Sequence, residues 1–171
     1  MNVNNYTSLD IGKAYTLSYG YAIPCYDNIT SLDYDEVFVF GSNLAGRHGA
    51  GAAKIAYDKF GAQYGCGKGI AGQSYAIPTK DKDLRVLFLK EIRPYVEEFI
   101  EYAKLHPNVH FLVTKIGCGL AGYTVRDIAP MFAKARHVLN IHLPLDFVQC
   151  LIGLWLVRGL NSLVFFIWLK Y

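Results

Sequence analysis

The stretch EVFVFGSNLAGRHGAGAAKIAYDKF, residues 36–60, decides how the rest of the chain is read. Val37-Phe38-Val39-Phe40 is a run of β-branched and aromatic residues, which predicts a buried strand. Ala52, Ala53, Ala56 and Phe60 recur at i, i+3/i+4 spacing, which predicts a helix ending at Phe60. Between the two lies a loop holding Gly41, Gly46, Gly49 and Gly51, mixed with Ser42, Asn43, Arg47 and His48. Strand, glycine-rich loop and helix is the order that presents backbone N–H groups and a helix N-terminus to an anion. The plainer alternative is a strand-to-helix turn that happens to be rich in glycine. The spacing is neither GxGxxG nor a Walker motif, because no Gly-Lys-Ser/Thr follows, so the loop does not name its ligand.

A second unit repeats the order. Val109-His110-Phe111-Leu112-Val113-Thr114 predicts another buried strand, and it runs into Lys115-Ile116-Gly117-Cys118-Gly119-Leu120-Ala121-Gly122-Tyr123. Thr124-Val125-Arg126-Asp127 is a capping-box signature for a helix reaching about His137. Two such units set two anion-friendly loops at the same carboxyl edge of a mostly parallel sheet. Loops placed that way can hold a diphosphate from both sides.

Between the units, Gly61, Gly65, Gly67, Gly69 and Gly72 form a further glycine-rich stretch leading into a short strand, Gln73 to Pro78. Thr79 to Asp83 reads as a charged, solvated turn. Residues 84–105 carry the clearest helix, with Ile92, Tyr95, Val96, Phe99, Ile100 and Ala103 in one apolar stripe. Pro94 sits either in its first turn or at a kink. Glu97 and Glu98 are sequence neighbours and diverge on a helix, so they form a solvated face and not an acid/base pair. Residues 140–144 predict a last short strand. Tyr15, Leu17 and Tyr19 alternate at period two and predict one or two strands near the N-terminus.

Length and charge narrow the function. A chain of 171 residues is one domain with a real core, and its net charge of +3 with no basic run argues against nucleic-acid binding. Cys25, Cys66, Cys118 and Cys150 are scattered and read as reduced thiols in a cytoplasmic setting. Neither they nor His106, His110, His137 and His142 show metal-ligand spacing, so no metal and no other cofactor is expected. The first ten residues lack the basic and apolar regions of a signal peptide. Residues 151–169 are apolar over the length of a membrane span, with Trp155 and Trp168 suited to interfaces. Arg158 opposes that reading at a cost of roughly 2.5–3.5 kcal/mol on insertion scales. The tail, 149–171, is therefore left open between a membrane-associated helix, a helix packed on the domain or on its copy, and a segment without function.

Three ordered motifs carry a resemblance. GSNLAGRHGAGAA (41–53), GIAGQSYAIPT (69–79) and FLVTKIGCGLAGYTVRDIAPMF (111–132) resemble the first loop, the middle segment and the second phosphate loop of the macro domain, an ADP-ribose-binding module. The likeness is closer still to macro-like proteins often carried by phages, and it covers residues 12–147. It implies an α/β fold: a three-layer α/β/α domain over 1–148 with a mixed, mostly parallel central sheet, followed by an apolar C-terminal helical tail. It implies ADP-ribose or a related nucleotide as partner. Asn43 would face the distal ribose, Gly49 and Gly51 the pyrophosphate, with Gly41, Ser42 and Ala50 beside them. Gly117, Cys118, Gly119, Leu120, Ala121 and Gly122 would wrap the pyrophosphate from the other side, with Tyr123 near the ribose. Arg47-His48 and Cys118 depart from the family pattern, and no aspartate follows residues 12–23 at once to meet an adenine.

Two functions follow from those residues. In the first, the protein hydrolyses an ADP-ribosyl linkage: Asn43 orients water or a ribose hydroxyl, Arg47 pairs a phosphate bidentately, and His48 is the acid/base. In the second it binds or sequesters a nucleotide signal in phage–host conflict without turnover. Cys118 lies before a helix N-terminus, which lowers thiol pKa values, but no histidine is set beside it to act as base.

Overall fold

The computed structural model describes residues 24–25 and 28–154. Strand β1 (Glu36–Asn43) forms from the predicted apolar run, and its alternation organises both faces of the sheet. Val37 and Val39 point into one core, Phe38 and Phe40 into the other. The chain continues through α1 (Gly51–Phe60), β2 (Gly69–Ala71), β3 (Ser74–Lys80), α2 (Leu89–Leu105) and β4 (His110–Val113). It then passes α3 (Val125–Ile128), a 3₁₀ helix (Ala129–His137) and β5 (Ile141–His142), and ends in α4, helical residues 145–154. The sheet order is β2-β3-β1-β4-β5. Neighbours from β3 to β5 are parallel and β2 is antiparallel, so the fold is α/β with a mixed five-stranded sheet.

Side-chain size explains which helix lies where. Ala53 and Ala56 let α1 come close to Phe38 and Phe40, and Phe60 closes that layer with its ring centroid 5.0 Å from Phe38. On the other face the longer stripe of α2, Ile92, Val96, Phe99, Ile100 and Ala103, covers Val37, Val39, Ile77, Phe111 and Val113. Phe99 meets Tyr75 and Phe111 edge-on at 5.1 and 5.6 Å, the arrangement aromatic rings prefer. Met131 and Phe132 of the 3₁₀ helix and Phe147, Val148 and Leu151 of α4 complete this core. Helix α4 thus carries buried residues on both sides of the 148/149 boundary.

Several boundaries differ from the sequence reading, each for a local reason. Helix α2 starts at Leu89 and not at 84, because residues 84–88 turn back on β3: Leu87 N–H donates to Thr79 O at 3.0 Å, and Lys80 bridges Val86. Pro94 therefore lies inside the helix, past its first turn. The helix expected up to His137 stops at Ile128 and tightens to 3₁₀, since Pro130 has no N–H for an α-helical bond. Its capping box is as expected, Asp127 accepting from the N–H and hydroxyl of Thr124 at 2.8 and 2.7 Å. Strand β3 runs through Pro78 to Lys80. Strand β2 pairs only as far as Ala76, so the proline falls where β3 has a partner on one side only. Strand β2 itself was not foreseen. The strands expected over 12–23 and most of the tail lie outside the described residues. Among the described residues no helix is long and apolar enough to cross a membrane.

The consequence for function is positional. Parallel β3, β1 and β4 end side by side, so the loops that follow them open at one edge.

Candidate functional site

Those three loops enclose a cleft of about 500 Å³. Its floor is the start of α1, with Gly49, Ala50, Gly51, Ala52 and Ala53 all lining it. Ala50, the cap residue, is extended (φ −153°, ψ 162°), no side chain caps the helix, and its first turn holds no acid. The N–H groups ahead of Lys54 therefore have no helical carbonyl to donate to, and they carry the positive end of the helix dipole. Arg47, Lys80 and Lys115 also line the cleft, and among the described residues no carboxylate does. Lys115 is held by Asp146 at 2.6 Å, which ties the loop after β4 to the first turn of α4.

Asn43 is 92 % buried by its 8 % exposure and closes the first loop on itself. Its Nδ2 donates to Arg47 O at 2.7 Å, and its Oδ1 accepts from Arg47 N–H at 3.0 Å. One amide N–H and one lone pair remain for a ligand. The Ser42 hydroxyl donates to Gly67 O, and Thr79 Oγ1 donates to Ser42 O at 3.2 Å, where β1 and β3 lose register. A bulge beside a site re-aims the residues that follow it.

Of the residues expected at the site, Gly41, Ser42, Asn43, Arg47, Gly49, Ala50, Gly51, Gly117, Gly119, Leu120 and Ala121 come together around the cleft. Leu120 lies over the start of α1, with its Cδ1 3.6 Å from where a Cβ on Gly51 would stand. His48, Cys118, Gly122 and Tyr123 are not among the lining residues. His48 is only 1 % exposed; its Nε2 donates to Gln63 O at 3.0 Å and its ring meets Phe40 edge-on at 5.4 Å. Its Nδ1 has no hydrogen-bond partner among the described residues. The Tyr123 hydroxyl donates to Leu87 O at 2.5 Å and so joins the loops after β3 and β4. Cys118 is half-buried, with Sγ 3.6 Å from Ile116 O; burial pushes its thiol up and Lys115 only partly offsets that, so it stays protonated at neutral pH.

Thr79, Lys80, Leu84, Tyr64, Thr114 and Lys115 line the cleft and were not singled out from the sequence. Thr79 and Lys80 fall in what reads as a solvated turn, and their place depends on β3 lying next to β1. His110 and His142 are also brought together, Nδ1 to Nε2 at 2.9 Å across β4 and β5, a pairing that linear spacing hides.

The glycines divide into two kinds. A Cβ on Gly67 would stand 2.1 Å from Asn43 O, and one on Gly46 2.4 Å from Gly65 C, so the stretch 61–72 packs backbone to backbone under the first loop. At Gly49 and Gly119 a Cβ would meet nothing within 4 Å, and neither has a left-handed φ. There the fold itself does not need glycine. No family model, curated protein or solved structure matches the chain.

Proposed function

We propose that the cleft binds the diphosphate of an ADP-ribose-like nucleotide, within a three-layer α/β/α domain of the macro type. The observation that carries this is the N-terminus of α1, without a side-chain cap, at the floor of a cleft that, among the described residues, is lined by Arg47, Lys80 and the Asp146-paired Lys115 and by no carboxylate. Helix N–H groups and dipole favour an anion there, and Arg47 can fork onto a phosphate. Gly49 and Gly119, which the fold does not require, leave room for phosphate oxygens against the backbone. A cleft of about 500 Å³ is within the range of nucleotide-sized ligands.

The same lining favours holding a ligand over hydrolysing one. Among the described residues neither histidine nor carboxylate lines the cleft to take a proton, and His48 is committed to Gln63. Asn43 and Arg47 orient the ligand, and His48 positions the loop that carries them.

Calorimetric titration of ADP-ribose into the full chain tests both parts. Binding in the micromolar range is expected, weakened at least about a hundredfold in Gly119→Glu with Tm unchanged, because the new carboxylate faces the phosphates. Free ADP-ribose released from an ADP-ribosylated peptide would restore the hydrolase reading. No heat and no thermal shift from ADP-ribose in a folded protein would overturn the binding reading.

A further inference from the structure

Leu84 is, among the described residues, the one non-glycine residue with positive φ, at 66°. A leucine held left-handed costs roughly 1–2 kcal/mol, and glycine or asparagine would sit there more easily. Hydrogen bonds on either side hold the turn around it in place. The Asp81 carboxylate accepts the N–H groups of Asp83 and Arg85, both at 2.8 Å. Asp81 N–H donates to Arg85 O at 2.8 Å, and Leu84 N–H donates to Asp81 O at 3.2 Å. The Lys80–Val86 bridge closes the turn, and Tyr123 pins its far end through Leu87. The strained residue lines the cleft, yet its side chain is not absorbed by either core: it stays 40 % exposed. Val86 and Phe88, at alternate positions after it, are exposed as well. The cleft thus has the N-terminus of α1 at its floor and one apolar side chain, Leu84, from the loop after β3. Strain kept at a rim, with a side chain the fold does not bury, points to a ligand contact.

We propose that Leu84 is a specificity-determining residue that packs against the planar base of the bound nucleotide, while the α1 end holds its phosphates. This rests on the nucleotide reading above and adds to it the part of the ligand that Leu84 recognises. Replacing Leu84 by glycine removes the contact and relieves the backbone together, so affinity should fall while stability holds or rises.

The test is calorimetry and thermal melting on the full chain with ADP-ribose and with inorganic pyrophosphate as probes. In Leu84→Gly, ADP-ribose affinity should fall about three- to tenfold, as expected for losing a partly buried leucine contact, while pyrophosphate affinity holds. The Tm should stay or rise by a few degrees, roughly 2–4 °C. Leu84→Met should keep ADP-ribose affinity, and Leu84→Asn, whose short polar side chain tolerates this backbone, should lose it with the fold intact. Unchanged ADP-ribose affinity in Leu84→Gly, an equal loss for pyrophosphate, or a base-dependent loss confined to Tyr64→Ala would overturn the assignment. Wild-type protein that binds neither probe would instead overturn the nucleotide reading, and this inference with it.

Discussion

Two glycine-rich regions look alike in sequence and do opposite things. In residues 61–72, Gly67 abuts Asn43 O and Gly72 abuts Gly61 and Phe60 O, backbone against backbone, while Gly65 and Gly69 face open space and serve a left-handed φ instead. The loops at 49–51 and 117–121 keep Gly49 and Gly119 facing open space at the rim of the cleft. Glycine density alone therefore marks neither a site nor a turn. What separates the two is the answer to what a methyl group would meet.

The largest effect should come from testing that answer directly. Gly67→Ala is expected to lose about 3 kcal/mol in urea unfolding, since its Cβ can only be fitted by moving backbone. Gly119→Ala should stay within about 0.5 kcal/mol of wild type. Equal losses at both positions would erase the distinction between the regions. A smaller effect is expected for Asn43→Ala, about 1–2 kcal/mol, from two lost bonds to the Arg47 backbone. A loss much below that would mean the first loop is held by the brace beneath it, through His48, Gly46 and Ser42, more than by its own side chain. The finest comparison uses one thiol in each region. Cys66 is exposed, whereas burial raises the Cys118 thiol and leaves it less thiolate at any given pH. Iodoacetamide at about pH 8 should modify Cys66 severalfold faster, read by mass spectrometry. Faster labelling of Cys118 would reopen it as a nucleophile.

Much of the fold was legible because it is written in local periodicity. The alternation at 37–40 and the stripe at Ile92, Val96, Phe99 and Ala103 specify β1 and α2 before any tertiary contact is known. Strand β2 was not legible: Gly69-Ile70-Ala71 is three residues long and owes its pairing to β3. Half of the site was equally open to reading, since Gly41 to Gly51 and Gly117 to Ala121 follow recognisable strands. Lys80 was hidden because a charged turn becomes a cleft wall only when sheet order puts β3 beside β1, and Leu84 because it reads as the start of the helix that begins only at Leu89. His48 also takes its place from a distant segment. A histidine in a loop looks available for chemistry until the chain returns at Gln63, whose carbonyl accepts a hydrogen bond from its Nε2–H.

The brace under the first loop has a consequence for how the molecule assembles. His48 reaches Gln63 across 15 residues, and Ser42 reaches Gly67 across 25. Thr114, by contrast, must find Val39 across 75. The floor of the cleft is thus closed by short loops with low entropic cost, whereas its other wall waits on a distant strand. In hydrogen exchange, the segment from β1 to β3 should persist as one cooperative block while the β4 loop opens and closes against it. A pocket built this way has a preformed half and an arriving half, and a ligand that spans both would act as the last piece of the fold.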